Sequence, residues 1–363
     1  MATQPHSPLS PQQVSDLAYQ DFDERTLHMD ADARIAQREA LLAELPSSEE
    51  FHRARADLLY TLGALYRANH RAEDALTALQ AAVDLYPDNA LLRYGLGETL
   101  RQLKRYDEAL EEQRHAVRLD PLSARASLGL ADAYDSLTRY DDAIAAFQRA
   151  AQLDPAWASP PNNLGVTYFK LKRYDDAIVS YQQAIALEPR WAIPHVNLGI
   201  TYRDAKRLDD AVTALQGAIA LDPQNATAHG ALGRVYFLLR RYDEAIGACQ
   251  QAIALDPHYA TAYNELGNVY NRQGHLDNAI AAYGQAIALN PAHPWAHDGL
   301  ASVYFRLRRY TEALPAYQRA VAVVGRLHGA VGEAQQRRQA FGRIDVVVDD
   351  EHATGIEHWV ARC

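Results

Sequence analysis

Apolar residues recur along this chain in a helical rhythm, and the rhythm itself repeats. Leucine, alanine and tyrosine return three, four and seven residues apart, the spacing that gathers side chains on one face of an α-helix. Two such stretches, joined by a short polar turn, fill 34 residues, and the pattern then starts again. Prolines at 87, 121, 155, 189, 223, 257 and 291 mark the period. Frames of 34 drawn from Ala56 give eight units ending at Leu327. The seventh position is leucine in every unit, from Leu62 to Leu300, and the eighth is glycine or alanine. The eleventh is tyrosine in seven units and Leu100 in the other, and the twentieth and twenty-seventh are always alanine.

These residue types have physical reasons. Positions four, seven, eight and eleven share one face of a first helix, and positions twenty, twenty-four and twenty-seven share one face of a second. Small residues at eight and twenty let the two helices approach, with leucine and tyrosine filling the space between. In the turn Lys172-Arg173-Tyr174-Asp175-Asp176 the acids stand at the start of the second helix, where free N–H groups and the helix dipole favour negative charge. Leu187-Glu188-Pro189 ends that helix, because proline disfavours helical geometry in the residue before it. One hairpin cannot bury its apolar face alone, so a stack of hairpins is expected.

This pattern resembles the tetratricopeptide repeat family, over 272 of 363 residues. It departs from it in two places: Gly325 replaces the proline of the last unit, and the family's usual tryptophan at position four is missing. The resemblance implies an all-α fold, a right-handed α-solenoid of helical hairpins. The flanks follow from composition. Residues 1–30, with Pro5, Pro8 and Pro11, are expected to be disordered. Residues 31–55 read as an N-terminal capping helix region. Residues 328–363 offer a polar capping helix over 331–341, then an irregular tail in which Ile344–Asp349 prefers strand.

Composition narrows the function. The net charge is −10, but residues 1–55 hold 10 acidic and 5 basic residues and residues 328–363 hold 6 and 4. A repeat region this near balance lacks the basic stripe that nucleic acid requires, so no nucleic-acid partner is expected. Met1 to Val14 does not read as a secretory signal, and no apolar run approaches a bilayer span, so no membrane insertion is expected. Two cysteines, Cys249 and Cys363, make no disulfide framework and suit a reducing, cytoplasmic setting.

Nothing in the sequence calls for a catalytic residue, cofactor or metal. His293 and His297 have four-residue spacing, but Pro294 places His293 at the helix start, and no glutamate completes a zinc motif. His195, His229 and His297 stand at position four and are expected to fill the core or a helix interface. The acidic pairs recur at every turn, so helix capping explains them better than acid–base work. Cys249 replaces the aromatics of sister units and reads as a packing residue.

In stacks of this family the first helices line the concave face, and positions two, five, six, nine, twelve and thirteen there need not pack the core. Units one to three place Tyr60, Tyr94, Glu98, Asp132 and Asp135 at such positions. Units four and five place Asn162, Asn163, Val166, Phe169, Asn197 and Ile200 there. Units six and seven place Arg234, Phe237, Asn264, Asn268 and Arg272, and Trp295 and Phe305 follow in the last. Rings and amides in rows suit an extended peptide, whose apolar side chains and backbone they engage. The family's chaperone-binding clamp needs a lysine at position five, which Tyr60, Tyr94, Leu128 and Asn162 do not supply, so a chaperone C-terminal peptide is not expected. The asparagine ladder of the O-linked N-acetylglucosamine transferases is matched only by Asn163 and Asn197, and no transferase domain follows. The reading is a non-enzymatic scaffold that binds a protein or peptide segment on its concave face. The alternative is a substrate-recognition subunit for an enzyme on another chain.

Overall fold

The computed structural model describes residues 10–19 and 31–327, and regular structure among them is entirely helical. The helices fall into two compact units, Met1–Leu239 and Arg240–Cys363. The first opens with α1 (Pro11–Tyr19), α2 (Ala31–Glu44) and a 3-10 turn at Glu49–Phe51. Pairs follow: α3 (His52–Ala68) with α4 (Ala72–Leu85), α5 (Ala90–Gln102) with α6 (Tyr106–Leu119), and α7 (Ala124–Ser136) with α8 (Tyr140–Leu153). Then come α9 (Ser159–Lys170) with α10 (Tyr174–Leu187), α11 (Ala192–Asp204) with α12 (Leu208–Leu221), and α13 (Ala226–Leu238). The second unit holds α14 (Tyr242–Leu255), α15 (Ala260–Gln273) paired with α16 (Leu276–Leu289), and α17 (Pro294–Arg306) paired with α18 (Tyr310–Leu327).

Within the first unit each second helix lies against the first helix of the next pair, as α6 does against α7 and α10 against α11. First helices also touch one another, α5 with α7 and α11 with α13. Second helices meet each other little or not at all, so the first helices form the inner side of this unit and the second helices the outer side.

The close approach has a common device. The side chain at position twenty-four rests on the small residue at position eight of its own hairpin: a β-carbon at Gly165 would lie 2.7 Å from Tyr181 Cε1, and one at Gly199 would lie 2.5 Å from Leu215 Cγ. Three of these side chains also press on a glycine of the following hairpin, and Leu79 does so between Gly63 and Gly95. Gln113 sits between Gly97 and Gly129, and Tyr283 sits between Gly267 and Gly299. The alanines at position twenty, such as Ala143, Ala177 and Ala211, are completely buried.

The turns are equally uniform. His70, Lys104, Thr138, Lys172, Lys206, Arg240 and Arg308 adopt φ of 59–63°, and Gly274 takes their place with φ 84°. This left-handed residue lets the next N–H turn back, as Arg173 N donates to the Tyr168 carbonyl at 2.9 Å. The arginine that follows lies over the position-eleven ring, with Arg173 4.5 Å from the centre of Tyr168 and Arg207 4.5 Å from that of Tyr202. It also pairs with the acid three residues on, Arg173 with Asp176 at 2.7 Å. The recurrent acids therefore do not act as side-chain N-caps. Arginine occupies the N-cap without a side-chain bond, and the acids carry first-turn charge and an ion pair.

The N-terminal segment departs from expectation. Pro11–Tyr19, placed in the disordered stretch, is helical because Val14 and Ala18 pack fully buried with Ala54 and Leu58 of α3. The Arg38 guanidinium of α2 donates to the Ala18 carbonyl at 3.0 Å. Residues 1–9 and 20–30, the helix expected over 331–341 and the tail beyond it lie outside the described residues.

Two outcomes follow. Gly165→Val should lower stability by about 1–3 kcal/mol, since Tyr181 must leave its seat. An unchanged urea midpoint would contradict the wedge. Lys206→Gly should raise stability by up to about 1 kcal/mol, because glycine carries no β-carbon penalty at left-handed φ. A lowered midpoint at the same urea slope would show that the Lys206 side chain matters more than its backbone.

Candidate functional site

Hydrogen bonds join the inner faces of three successive first helices. Asn197 of α11 donates through Nδ2 to Asn162 Oδ1 of α9 at 3.2 Å. Asn162 donates to Asn163 Oδ1 at 3.1 Å, and Asn163 donates to Asp132 Oδ1 of α7 at 3.1 Å. A second link runs beside it, where Thr167 Oγ1 donates to Asp135 Oδ1 at 3.0 Å and the Lys170 ammonium pairs with Asp135. Helical stacking places these groups together, since residues 31 to 35 apart become neighbours once hairpins stack. Val166, Phe169 and Ile200 stand half-buried on α9 and α11, and Arg234 and Phe237 are half-buried on α13. The Phe169 ring packs 5.9 Å from Tyr174 of its own turn.

One charge in this row is under stress. Asp132 has its carboxyl raised to about 7, first by burial and then by the neighbouring Glu98 carboxylate, with Arg101 and the Asn163 amide acting in the opposite sense. Glu98 is itself buried and pairs with Arg101 at 2.8 Å. Gln113 donates to the Tyr94 carbonyl at 3.1 Å and more weakly to Glu98 at 3.4 Å.

Some expected surface positions are interior. Asn162 is 5% exposed, Asn264 3% and Tyr60 2%. Position five faces the neighbouring hairpin, so its side chain is covered by packing rather than offered to a ligand. In the second unit Asn268 donates to Glu265 Oε2 at 3.1 Å and accepts from the Tyr283 hydroxyl at 2.7 Å, so both ends of its amide are engaged within the fold. Arg272 is exposed.

The remaining candidates have structural work. His195, His229 and His297 each place Nε2 within 3.1–3.2 Å of the carbonyl of the proline six residues earlier, namely Pro189, Pro223 and Pro291. His293 caps α17, with Nδ1 accepting from Ala296 N at 3.2 Å. Cys249 is fully buried, which pushes its thiol up to about 12 and leaves it unreactive at neutral pH. Sequence reasoning missed Thr167 and Lys170 as partners of Asp135. Their positions ten and thirteen, one unit after an acid at position twelve, were the available signal.

The comparisons agree with this architecture. A family model described as "Cilia and flagella-associated protein 70 C-terminal domain" matches residues 120–340, more than half of the chain, and one described as "Tetratricopeptide repeat" matches residues 60–121. The chain belongs to the tetratricopeptide repeat family. No curated protein matches the sequence. Among solved structures it is similar to the APC/C hetero-tetramer Cut9-Hcn1, with a TM-score of 0.58 and 21% identity over 87% of this chain and 64% of that one. A tetratricopeptide repeat protein from Parabacteroides merdae gives a TM-score of 0.54 and 15% identity over 69% of this chain and 98% of that one. MamA is 30% identical over 46% of this chain and 96% of its own, with a TM-score of 0.39. The first two likenesses show the fold, an α-solenoid of tandem helical hairpins. Among the described residues no helix is long and apolar enough to cross a membrane.

Asp132 supplies a pH test. Its folded-state value lies above the ordinary carboxylate value of about 3.9, so its contribution to stability is full at low pH and is lost as pH rises through about 7. Asp132→Asn should therefore gain thermal stability over wild type at pH 8, and the gap should narrow at pH 5. Melting curves of both proteins with the same gap at the two pH values would remove Asp132 as the cause.

Proposed function

We propose that the chain is a protein-interaction scaffold that holds an extended partner segment along the inner face of its first helices. The single observation that carries this reading is the run of amides through α9 and α11, bordered by the half-exposed side chains Val166, Phe169 and Ile200. Asn163 and Asn197 retain donor and acceptor capacity beyond their bonds to Asp132 and Asn162, since each amide has two donors and two lone pairs. A partner's backbone joins this row by hydrogen bonding, and its apolar side chains rest on Phe169, Ile200 and Phe237. Membership of the repeat family supports the general reading, because helical-hairpin arrays offer extended surface without catalytic machinery.

The test is capture of the cognate segment by the full chain, followed by its affinity for variants. Asn163→Ala with Asn197→Ala should weaken it by roughly tenfold or more, at on the order of 1 kcal/mol per lost bond. Phe169→Ala with Phe237→Ala should weaken it further, each anchor contributing on the order of 2 kcal/mol. Thermal melts must accompany both measurements, because the same amides bridge α7, α9 and α11. Gln183→Glu, at an exposed position of α10, should leave affinity unchanged. Loss of binding in that variant, with retention in the inner-face variants, would move the site to the outer surface. If the segment belongs to one enzyme recovered in fixed ratio, the chain serves as that enzyme's substrate-recognition subunit.

A further inference from the structure

Among the described residues α18 is the one second helix of the array with no first helix after it. The others each have one against them from the next hairpin, as α12 has α13 and α16 has α17. That neighbour covers positions seventeen, twenty-one and twenty-four. At position twenty-one Leu110 and Ile178 are 5% exposed, whereas Leu314 is 44% exposed. The side chains at position twenty-four are buried from Leu79 to Tyr283, whereas Tyr317 is half-buried. At position seventeen Tyr106, Tyr174 and Tyr242 are half-buried, whereas Tyr310 is exposed. α18 thus presents an apolar strip of Tyr310, Leu314 and Tyr317 at positions that the other hairpins cover.

The repeat frame continues into the chain that follows. It runs on for 36 residues beyond Leu327, room for a further unit of 34. In that frame Gly342 falls at position fifteen, the left-handed residue of every described turn, which Gly274 already supplies as glycine. Arg343 falls on the turn arginine, Ile344 on position seventeen and Asp345 on the first-turn acid. Phe341 takes position fourteen, as Leu103, Leu171 and Leu307 do. Ala330 takes position three, as Ala126, Ala228, Ala262 and Ala296 do, and Glu333 takes position six, as Glu265 does. The longer family match also reaches residue 340. The departures fall mainly in one class. Gln335, Arg338 and Val347 stand at positions eight, eleven and twenty, which join the two helices of one hairpin. Arg337 stands at position ten, where the other units carry leucine, alanine, threonine or valine. The frame therefore keeps a first helix and its turn, without the small residues that seat a second helix.

We infer that residues 328–341 form the first helix of a ninth, incomplete unit, and that this helix docks on the strip of Tyr310, Leu314 and Tyr317. The occupant comes from the same chain and in the same register as the next hairpin does elsewhere in the array. For the chain to turn back, α18 must end near Gly325. Gly325 stands where the other units have proline, and glycine is the usual residue just past a helix end. α18 runs for 18 residues to Leu327, where α14 and α16 run for 14. Docking therefore exchanges the last turn of α18 for a loop. With Arg337 in place of a small or apolar residue, this seat is weaker than that between internal hairpins, and the helix can leave it.

Hydrogen exchange of the full chain, read by mass spectrometry, tests the docking. Amides 328–341 should exchange at least tenfold more slowly than in a free peptide of that sequence. Leu314→Asp should remove this protection while α15 and α16 stay protected as in wild type. Gly325→Ala should lower it severalfold with the strip intact, because alanine favours a helix that runs straight on. Leu122→Asp, at an exposed loop position, should keep the wild-type protection. Exchange of wild type at the free-peptide rate overturns the proposal, and so does full protection in Leu314→Asp or in Gly325→Ala. Sedimentation of the same proteins identifies the rival occupant. A wild-type dimer that becomes a monomer in Leu314→Asp, with 328–341 unprotected in both, gives the strip to a second copy of the chain and overturns the proposal as well.

Discussion

The structure depends on how closely two helices approach where one of them has almost no side chain. A large residue at position twenty-four needs a seat, and glycine or alanine at position eight of the same hairpin supplies it. Where position six of the next hairpin is also glycine, the same side chain fastens two hairpins together, as Gln113 does between Gly97 and Gly129 and Tyr283 does between Gly267 and Gly299. Dense packing makes such seats intolerant of added volume. The strict small residues of the repeat are therefore the condition for stacking, and stacking is what buries the apolar faces.

The turns show how charge is used. A left-handed residue, a ring, an arginine over the ring and an acid three residues on form one local unit that recurs through the chain. Much of the repeat's polar content is accounted for by this unit and by the histidine–proline contacts that tie α11, α13 and α17 to the loops before them. Among the polar side chains that remain are those joining first helices to one another. Their bonds to each other order the inner face, and under the binding mode proposed above this reduces the ordering cost while requiring a partner to share or exchange those bonds.

An array of near-identical units draws attention to its exceptions. Leu100 removes a ring from a single hairpin, and Gln80 of the preceding hairpin pairs with Asp84 instead of a tyrosine hydroxyl. Asp132 crowds a second carboxyl against Glu98, where the next two hairpins carry Val166 and Ile200 at the same position. Both departures sit in the first unit, one outside and one inside. A regular lattice thus makes individual sites recognisable by difference.

The sequence by itself determined the helices, their pairing into hairpins, the turn positions and the small-residue contacts, because each depends on spacing within one 34-residue period. It also singled out Asn163 and Asn197 as equivalent positions, and the structure joins them through Asn162. It did not determine the helix at Pro11–Tyr19, whose proline-rich surroundings favour an open chain until Val14 and Ala18 find the face of α3. Nor did it reveal that Asn162 and Asn264 are buried, or that Asp132 meets both Glu98 and Asn163. Those outcomes depend on which side chain of the neighbouring hairpin lies opposite, a relation across some 30 residues of chain that spacing within a helix does not specify. Burial and shared hydrogen bonds are properties of two stacked surfaces, and only their packing in three dimensions decided them.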